Sequence, residues 1–363
     1  MALKGDAELT QRQMLRTKFK DQYESEYQQL STRVQQYTTI ETGMEGEYYE
    51  FPIIGGTEMR EYNDTRHTIV EDDVRFAKRG MRYRKFFNAI PISKDEVRDM
   101  GKYEYTLAHI KTQQIAAAKR MLDAVALGVV KDASTGKWRL KKAGPPENGG
   151  DGGYCGGILG TNYGGAGGIE QKNLDWTYAS FKNGTGNLVP IDYATSGKGV
   201  STSFSGTFLD KLGYVRRRLE ELDVFDPTEP GALCVCISPA VKQMVQSLEL
   251  KLNRDYGFST LGEAGTTTYL PKTGITWIVS NMLPTMDTET KDGTAVNGAR
   301  MCCAWLKNRI GFGVWDDWEY ITQQLTDKVD VRERSLATGY FGCGRKDEHS
   351  VFVLPELETN GII

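Results

Sequence analysis

The sequence predicts an α+β chain in which an extended N-terminal part precedes a domain of alternating strands and helices. Three observations carry this. Residues 47–92 alternate β-branched, aromatic and charged side chains between Gly and Pro, the texture of strands joined by turns. Residues 93–128 carry an apolar stripe at helical spacing behind a capping box. From residue 208 onward, short apolar runs alternate with amphipathic stretches.

The composition sets bounds on these elements. The chain has 363 residues, enough for one elaborate domain or two ordinary ones. Its 39% hydrophobic and 26% charged residues suit a soluble globular protein. The longest apolar runs, such as "ALCVCI" at 232–237, are far too short to span a bilayer. "MALKGDAELTQRQ" has no apolar h-region, so export is not expected. With 48 acidic against 45 basic residues the net charge is −3, so any contact with nucleic acid is expected to be weak and local.

Taken in order, residues 8–37 predict one amphipathic helix, with Leu15, Phe19, Tyr23, Tyr27, Leu30, Val34 and Tyr37 on a single stripe. A stripe so aromatic must be buried, against the chain's own domain or against a neighbouring subunit. The ribbon at 47–92 follows, and its "RGMRYRKFF" predicts one charged face better suited to a partner than to a core. Ser93 and Glu96 form an S-x-x-E capping box, after which Val97, Met100, Leu107, Ile110, Met121, Leu122 and Val125 mark the apolar side of a helix stopped at Gly128. About 35 helical residues would extend roughly 50 Å, the length of a structural girder.

Twelve of the 25 residues from Gly144 to Gly168 are glycine. Beyond them a helix is predicted over 208–222, then the strand 232–237. Ser238-Pro239 follows as N-cap and first-turn proline of a second helix. Further strands are predicted at 275–281, 300–306 and 310–315, and the C-terminal stretch reads as two strands separated by a charged turn. No internal repeat is present.

Catalytic signatures are missing. No G-x-x-x-x-G-K-[ST] exists, and no G-x-G-x-x-G opens a helix after a strand, so the glycine-rich stretch is not a phosphate cradle. His67, His109 and His349 fall in no metal-binding or triad pattern, and G-x-S-x-G is absent. Cys155, Cys234, Cys236, Cys302, Cys303 and Cys343 lack C-x₂₋₄-C pairs and read as buried small hydrophobes of a reducing cytoplasm. Acid pairs such as Asp72-Asp73 and Asp316-Asp317 cannot be matched across a cleft from sequence. No catalytic, cofactor-binding or metal-binding residue is therefore assigned, and no cofactor is expected.

The order of these parts resembles the major capsid protein of tailed double-stranded-DNA bacteriophages, the Johnson fold. The stretch "TEMREYNDTRHTIVEDDVRFAKRGMRYRKFFNAIPISKDEV" and the closing "YFGCGRKDEHSVFVL" carry the likeness most specifically. The resemblance implies an N-terminal arm over 1–46, an E-loop over 47–92 and a peripheral domain over 93–184 that includes a spine helix at 93–128. It further implies an axial domain over 185–305 and a return to the peripheral domain over 306–363. It implies no enzyme activity. The family builds pentamers and hexamers that close an icosahedral shell around the genome, so the chain is expected in the virion capsid, assembled in the host cytoplasm.

On this resemblance Phe19, Tyr23, Tyr27 and Leu30 of the arm, with Asp64, Arg66, Arg82 and Arg84 of the E-loop, are expected to make intersubunit contacts. The expected partners are other copies of the chain, a portal protein, a separate scaffolding protein and packaged double-stranded DNA, with no membrane. The scaffolding expectation follows from the opening Met1-Ala2 and from an arm of only about 46 residues, too short to hold a core. Ordering twelve glycines costs on the order of 10 kcal/mol more than ordering alanines, so neighbouring subunits are expected to hold that loop as an insertion. An encapsulin-like shell around an enzyme cargo uses the same fold and is the nearest alternative; an unrecognised α/β hydrolase is the other.

Overall fold

The computed structural model describes residues 29–54, 76–93, 103–141, 156–160, 187–193, 208–221, 232–252, 267–270, 274–289, 295–324, 331–346 and 350–358. After a short 3-10 turn at Gln35–Tyr37 come strands β1 (Thr39–Thr42), β2 (Tyr48–Ile54), β3 (Phe76–Arg82) and β4 (Arg84–Ser93). Helix α1 (Tyr103–Leu127) leads to β5 (Val129–Lys131) and β6 (Trp138–Leu140). Helix α2 (Phe208–Glu221), β7 (Leu233–Ile237) and helix α3 (Pro239–Leu252) follow. The remaining strands are β8 (Thr267–Leu270), β9 (Ile275–Val279), β10 (Thr285–Glu289), β11 (Ala295–Leu306), β12 (Ile310–Gln324), β13 (Val331–Arg345) and β14 (Val351–Glu356). The chain divides into two compact units, one comprising 1–32, 84–122 and 315–341, the other 33–83, 123–314 and 342–363.

In the smaller unit, β13 pairs antiparallel with β4, Phe341 opposite Arg84 and Ser335 opposite Ile90, and β12 lies on the other side of β13. Side chains alternate across a strand, so the two faces of this sheet separate cleanly. Ser335, Ala337 and Phe341 are buried on one face. Gln114 of α1 fixes the helix there: its amide donates to the Ser335 carbonyl (3.2 Å), and its oxygen accepts from Ser335 Oγ (2.8 Å). Phe86 stacks on Phe341, and Trp318 packs on the same ring. Gly339 is required between them, because a Cβ there would lie 2.5 Å from the Phe341 ring.

The larger unit is built on a six-stranded sheet ordered β10-β11-β7-β9-β8, with β14 also paired to β11. Strands β7 and β9 are parallel neighbours and are buried along their whole length, which is why "LCVCI" and "ITWIV" are nearly continuous apolar runs rather than alternating ones. Helix α2 buries Phe208, Leu212, Val215 and Leu219 at steps of four, three and four, and carries Arg216–Glu220 and Arg217–Glu221 pairs on its wet side. The predicted cap of α3 is formed, with Val241 N–H donating to Ser238 Oγ at 3.2 Å. Cys234, Cys236, Cys302, Cys303 and Cys343 are buried thiols in no disulfide, and burial pushes the Cys234 and Cys343 thiols up to about 12. They are packing residues, as expected.

One buried face of α2 carries a charge. Lys211 Nζ donates to Glu356 Oε1 (2.7 Å) and to the Pro355 carbonyl (2.8 Å), and both charged side chains are almost wholly buried. Burial pushes the Glu356 carboxyl upward, against the pull of Lys211. Lys211→Met is expected to cost about 3–5 kcal/mol by stranding Glu356, whereas Lys211→Met combined with Glu356→Leu should recover most of that. Urea unfolding midpoints of the two variants check this.

The helix predicted over 8–37 fails at its C-terminal end. Residues 1–28 lie outside the described residues, but 29–34 are not helical, and only Gln35–Tyr37 form a turn before β1. The physical reason is Asp123. Its buried carboxylate accepts the backbone N–H groups of Arg33 (2.8 Å), Val34 (2.9 Å) and Gln35 (3.1 Å), donors that a continuing helix would have needed for its own carbonyls. Trp305 Nε1 then donates to the Tyr37 carbonyl (3.0 Å), and β1 pairs parallel with Gly311–Val314 of β12.

Helix α1 stops where predicted, at Gly128 (φ 76°). In the described part of the glycine-rich stretch, 156–160, the chain itself supplies the contacts that were expected of neighbouring subunits. Ile158 and Leu159 N–H groups cap the Ala126 and Leu127 carbonyls (2.8 and 3.0 Å), Gly157 N–H donates to Cys343 O (3.0 Å), and Arg345 Nη1 donates to Ile158 O (2.7 Å). Ile158 and Leu159 are buried in the chain's own core. Gly157 (φ 111°) and Gly128 touch backbone to backbone, so a Cβ on either would sit 2.4 Å from the other segment. The rest of that stretch lies outside the described residues.

One further boundary differs from expectation. The charged ribbon of 47–92 is two structures: β2 and β3 form a two-stranded antiparallel ribbon ending at the Tyr48–Arg82 pair, and after Tyr83 the chain enters the β13 sheet as β4. Arg82 and Arg84 thus belong to different sheets. The two expected C-terminal strands are present, β13 pairing with β4 and β14 with β11.

Candidate intersubunit surfaces

Among the described residues no group of three His, Cys, Asp or Glu is placed to hold a metal. The surfaces are better defined. In the smaller unit, the sheet face opposite α1 exposes a row of side chains among the described residues. On β4 the exposed residues are Lys85, Phe87, Ala89 and Pro91, and Phe87 is 71% exposed. Their cross-strand partners on β13 are Tyr340, Thr338, Leu336 and Arg334, all half-buried. Lys85 Nζ lies 5.5 Å from the Tyr340 ring centroid, and Arg334 Nη2 donates to Gln323 Oε1 (2.6 Å) on β12. A phenylalanine this exposed, flanked by Ala, Pro and Leu, is apolar surface that no described residue covers.

Phe86 and Phe87 show why. Adjacent residues on a strand face opposite ways, so when Phe86 stacks on Phe341 beneath α1, Phe87 must face out. That signal was available in the sequence, and no contact was assigned to Phe87 from it. On the same unit, Ile115 and Met121 of α1 are further exposed apolar residues.

The predicted contact residues fall as follows. Phe19, Tyr23, Tyr27, Asp64 and Arg66 lie outside the described residues. Leu30 is described and is 60% exposed, whereas Val34 of the same predicted stripe is fully buried, so the stripe is split at the Asp123 anchor. Arg82, half-exposed, is paired with Glu47, and Arg84 is half-buried at the start of β4.

The base of the β2–β3 ribbon is rigidly seated in the larger unit. Tyr49 meets Phe51 edge-on at 5.1 Å between centroids, and the Phe51 ring occupies the space where a Cβ on Gly311 would be, 2.5 Å away. Lys346 covers that ring at 4.9 Å and binds Glu41 at 2.8 Å. The hydrogen bond to Glu41, with burial and the Glu41 charge behind it, holds the Tyr49 phenol above its ordinary value.

No family model matches the chain, and no curated protein does. Solved structures do. A chain of the capsid of the cyanophage P-SCSP1u is 13% identical, with 94% of this chain and 93% of that one covered at a TM-score of 0.54. A chain of Mycobacterium phage Ogopogo is 12% identical over 93% and 95% at a TM-score of 0.57. The capsid of Ralstonia phage GP4 is 7% identical over 100% and 99% at 0.55. The chain has the fold of these phage structures, two of them capsids, and the resemblance drawn from the sequence holds at the level of fold.

Proposed function

We propose that this chain is the major capsid protein of a tailed double-stranded-DNA bacteriophage, closing an icosahedral shell as pentamers and hexamers of itself. The observation that carries this is a fold match covering at least 93% of this chain and of each phage structure compared. The role is structural and not catalytic. The β2–β3 ribbon serves as the E-loop, α1 as the spine helix, and residues 1–46 as the arm. A separate scaffolding protein guides closure, a portal protein occupies one vertex, and contact with packaged DNA is weak and independent of sequence, in keeping with a net charge of −3. Assembly takes place in the host cytoplasm and the product is the virion capsid.

Electron microscopy of the purified chain, with and without a scaffolding protein from the same genome, tests this. Closed shells with scaffold, and aberrant particles or free capsomers without it, are expected; a monomer under every condition would overturn the proposal. Uniform particles filled with a protein cargo would assign the chain to an enzyme-enclosing compartment instead.

The exposed sheet face adds a point prediction. Phe87→Asp should change the folding stability of the isolated chain by no more than about 0.5 kcal/mol, as exposed substitutions do. It should nevertheless lower the yield of particles, because burying a Phe in a contact is worth about 1.5–3 kcal/mol. Sedimentation velocity beside urea unfolding separates the two effects.

A further inference from the structure

The smaller unit's sheet has two outer edges of opposite charge. On one side β4 is the last strand of the order, and it brings Arg84 and the exposed Lys85. On the other side, β1 accompanies β12 only over Gly311–Val314, and beyond that no further strand lies beside β12 among the described residues. That stretch exposes Asp316, Asp317 and Glu319.

The charges match in level and in face as well as in sign. Gly339 stands opposite Phe86 on β4, and the Trp318 ring lies 3.2 Å from the position of a Gly339 Cβ, so the acidic and basic residues sit at the same height across the sheet. Trp318 and Phe86 both pack on Phe341, which places Asp316 and Arg84 on that face by alternation. Asp317 and Glu319 then share the exposed face with Lys85 and Phe87. β4 runs antiparallel to β13; so does β12, whose Trp318 meets Phe341 while its Gln323 meets Arg334, so β4 and β12 run parallel to each other. Like edges repel, so charged edges usually keep sheets apart. Here the unlike edges attract, and a parallel junction sets Asp317 and Glu319 of one copy beside Lys85 of the next.

We infer that the β12 edge of one copy docks against the β4 edge of a second copy of this chain, in a head-to-tail contact that repeats around a ring. The inference rests on the shell-forming reading and names the surface through which copies meet. Such a contact is heterologous, and a heterologous contact whose rotation closes gives rings rather than dimers. It also covers Phe87, the most exposed large apolar residue described.

Charge exchange tests it. Lys85→Glu alone, and Asp317→Lys with Glu319→Lys, should each raise the protein concentration needed for assembly by about tenfold or more, because like charges then face each other. All three changes in one chain should restore assembly to near the wild-type concentration. A second measurement uses Lys85→Cys with Asp317→Cys in a Cys155→Ser background, treated with a short bismaleimide. Assembled material should give a ladder of covalent oligomers, and either cysteine alone should give none. Wild-type shells with no ladder, or reversals that assemble normally, overturn the edge contact and leave the capsid proposal standing. A wild-type chain that stays monomeric at every concentration overturns both.

Discussion

Gly157→Val is expected to destabilise the larger unit severely, by on the order of 5 kcal/mol. The new side chain would meet the backbone of Gly128 at 2.4 Å and of Leu127 at 2.8 Å, where nothing flexible can move aside. It would also occupy φ 111°, a region L-residues avoid. Strain and overpacking each cost about 1–3 kcal/mol, and displacing the segment surrenders the caps on Ala126 and Leu127, so the loss is on the order of 5 kcal/mol against a total stability of about 5–15. Gly136→Ala is the control: φ is 67° there too, but a Cβ meets nothing within 4 Å, so only about 1 kcal/mol is expected. Urea midpoints decide between them. Equal midpoints for the Gly157 and Gly136 variants would show that the glycine contact does not exist in solution.

Asp123→Ala should have the second largest effect. Hydrogen bonds to a charged acceptor are worth about 1.5–3 kcal/mol each, and this carboxylate takes three backbone donors in a buried site. Because the three share one acceptor their losses do not add fully, and about 3–5 kcal/mol is expected. Asp123→Asn keeps one oxygen and should lose less. Amide hydrogen exchange gives a local readout, with Arg33, Val34 and Gln35 protected in the parent chain and exchanging far faster in Asp123→Ala. Unchanged protection at those three amides would rule out the anchor.

Both results bear on how the N-terminal part joins the fold. The residues from Arg33 to Tyr37 are held by the larger unit through Asp123 and Trp305, so the stretch just before β1 is part of that unit. Leu30, three residues before it, is exposed.

Much of the fold was legible locally. Helices α2 and α3, the stop of α1 at Gly128, strands β7 and β9 and the Ser238 cap all follow from signals within a few residues: a period of 3.6, a capping side chain, a glycine, an unbroken apolar run. The absence of catalytic motifs and the order of the parts pointed to a capsid-like chain for the same reason, since each part has its own texture. What the sequence could not determine by itself were the choices made by distant partners. The predicted helix through residue 37 gave way because a carboxylate about ninety residues away takes its donors. The glycine-rich stretch is partly core because a helix end needs N–H groups and admits no Cβ. The charged ribbon divides at Tyr83 because β13 offers Arg84–Ser93 a ladder that β2 does not. The open, oppositely charged edges of the smaller unit emerge only when strand order is known, because period-two alternation tells which residues share a face and says nothing of which strand lies next.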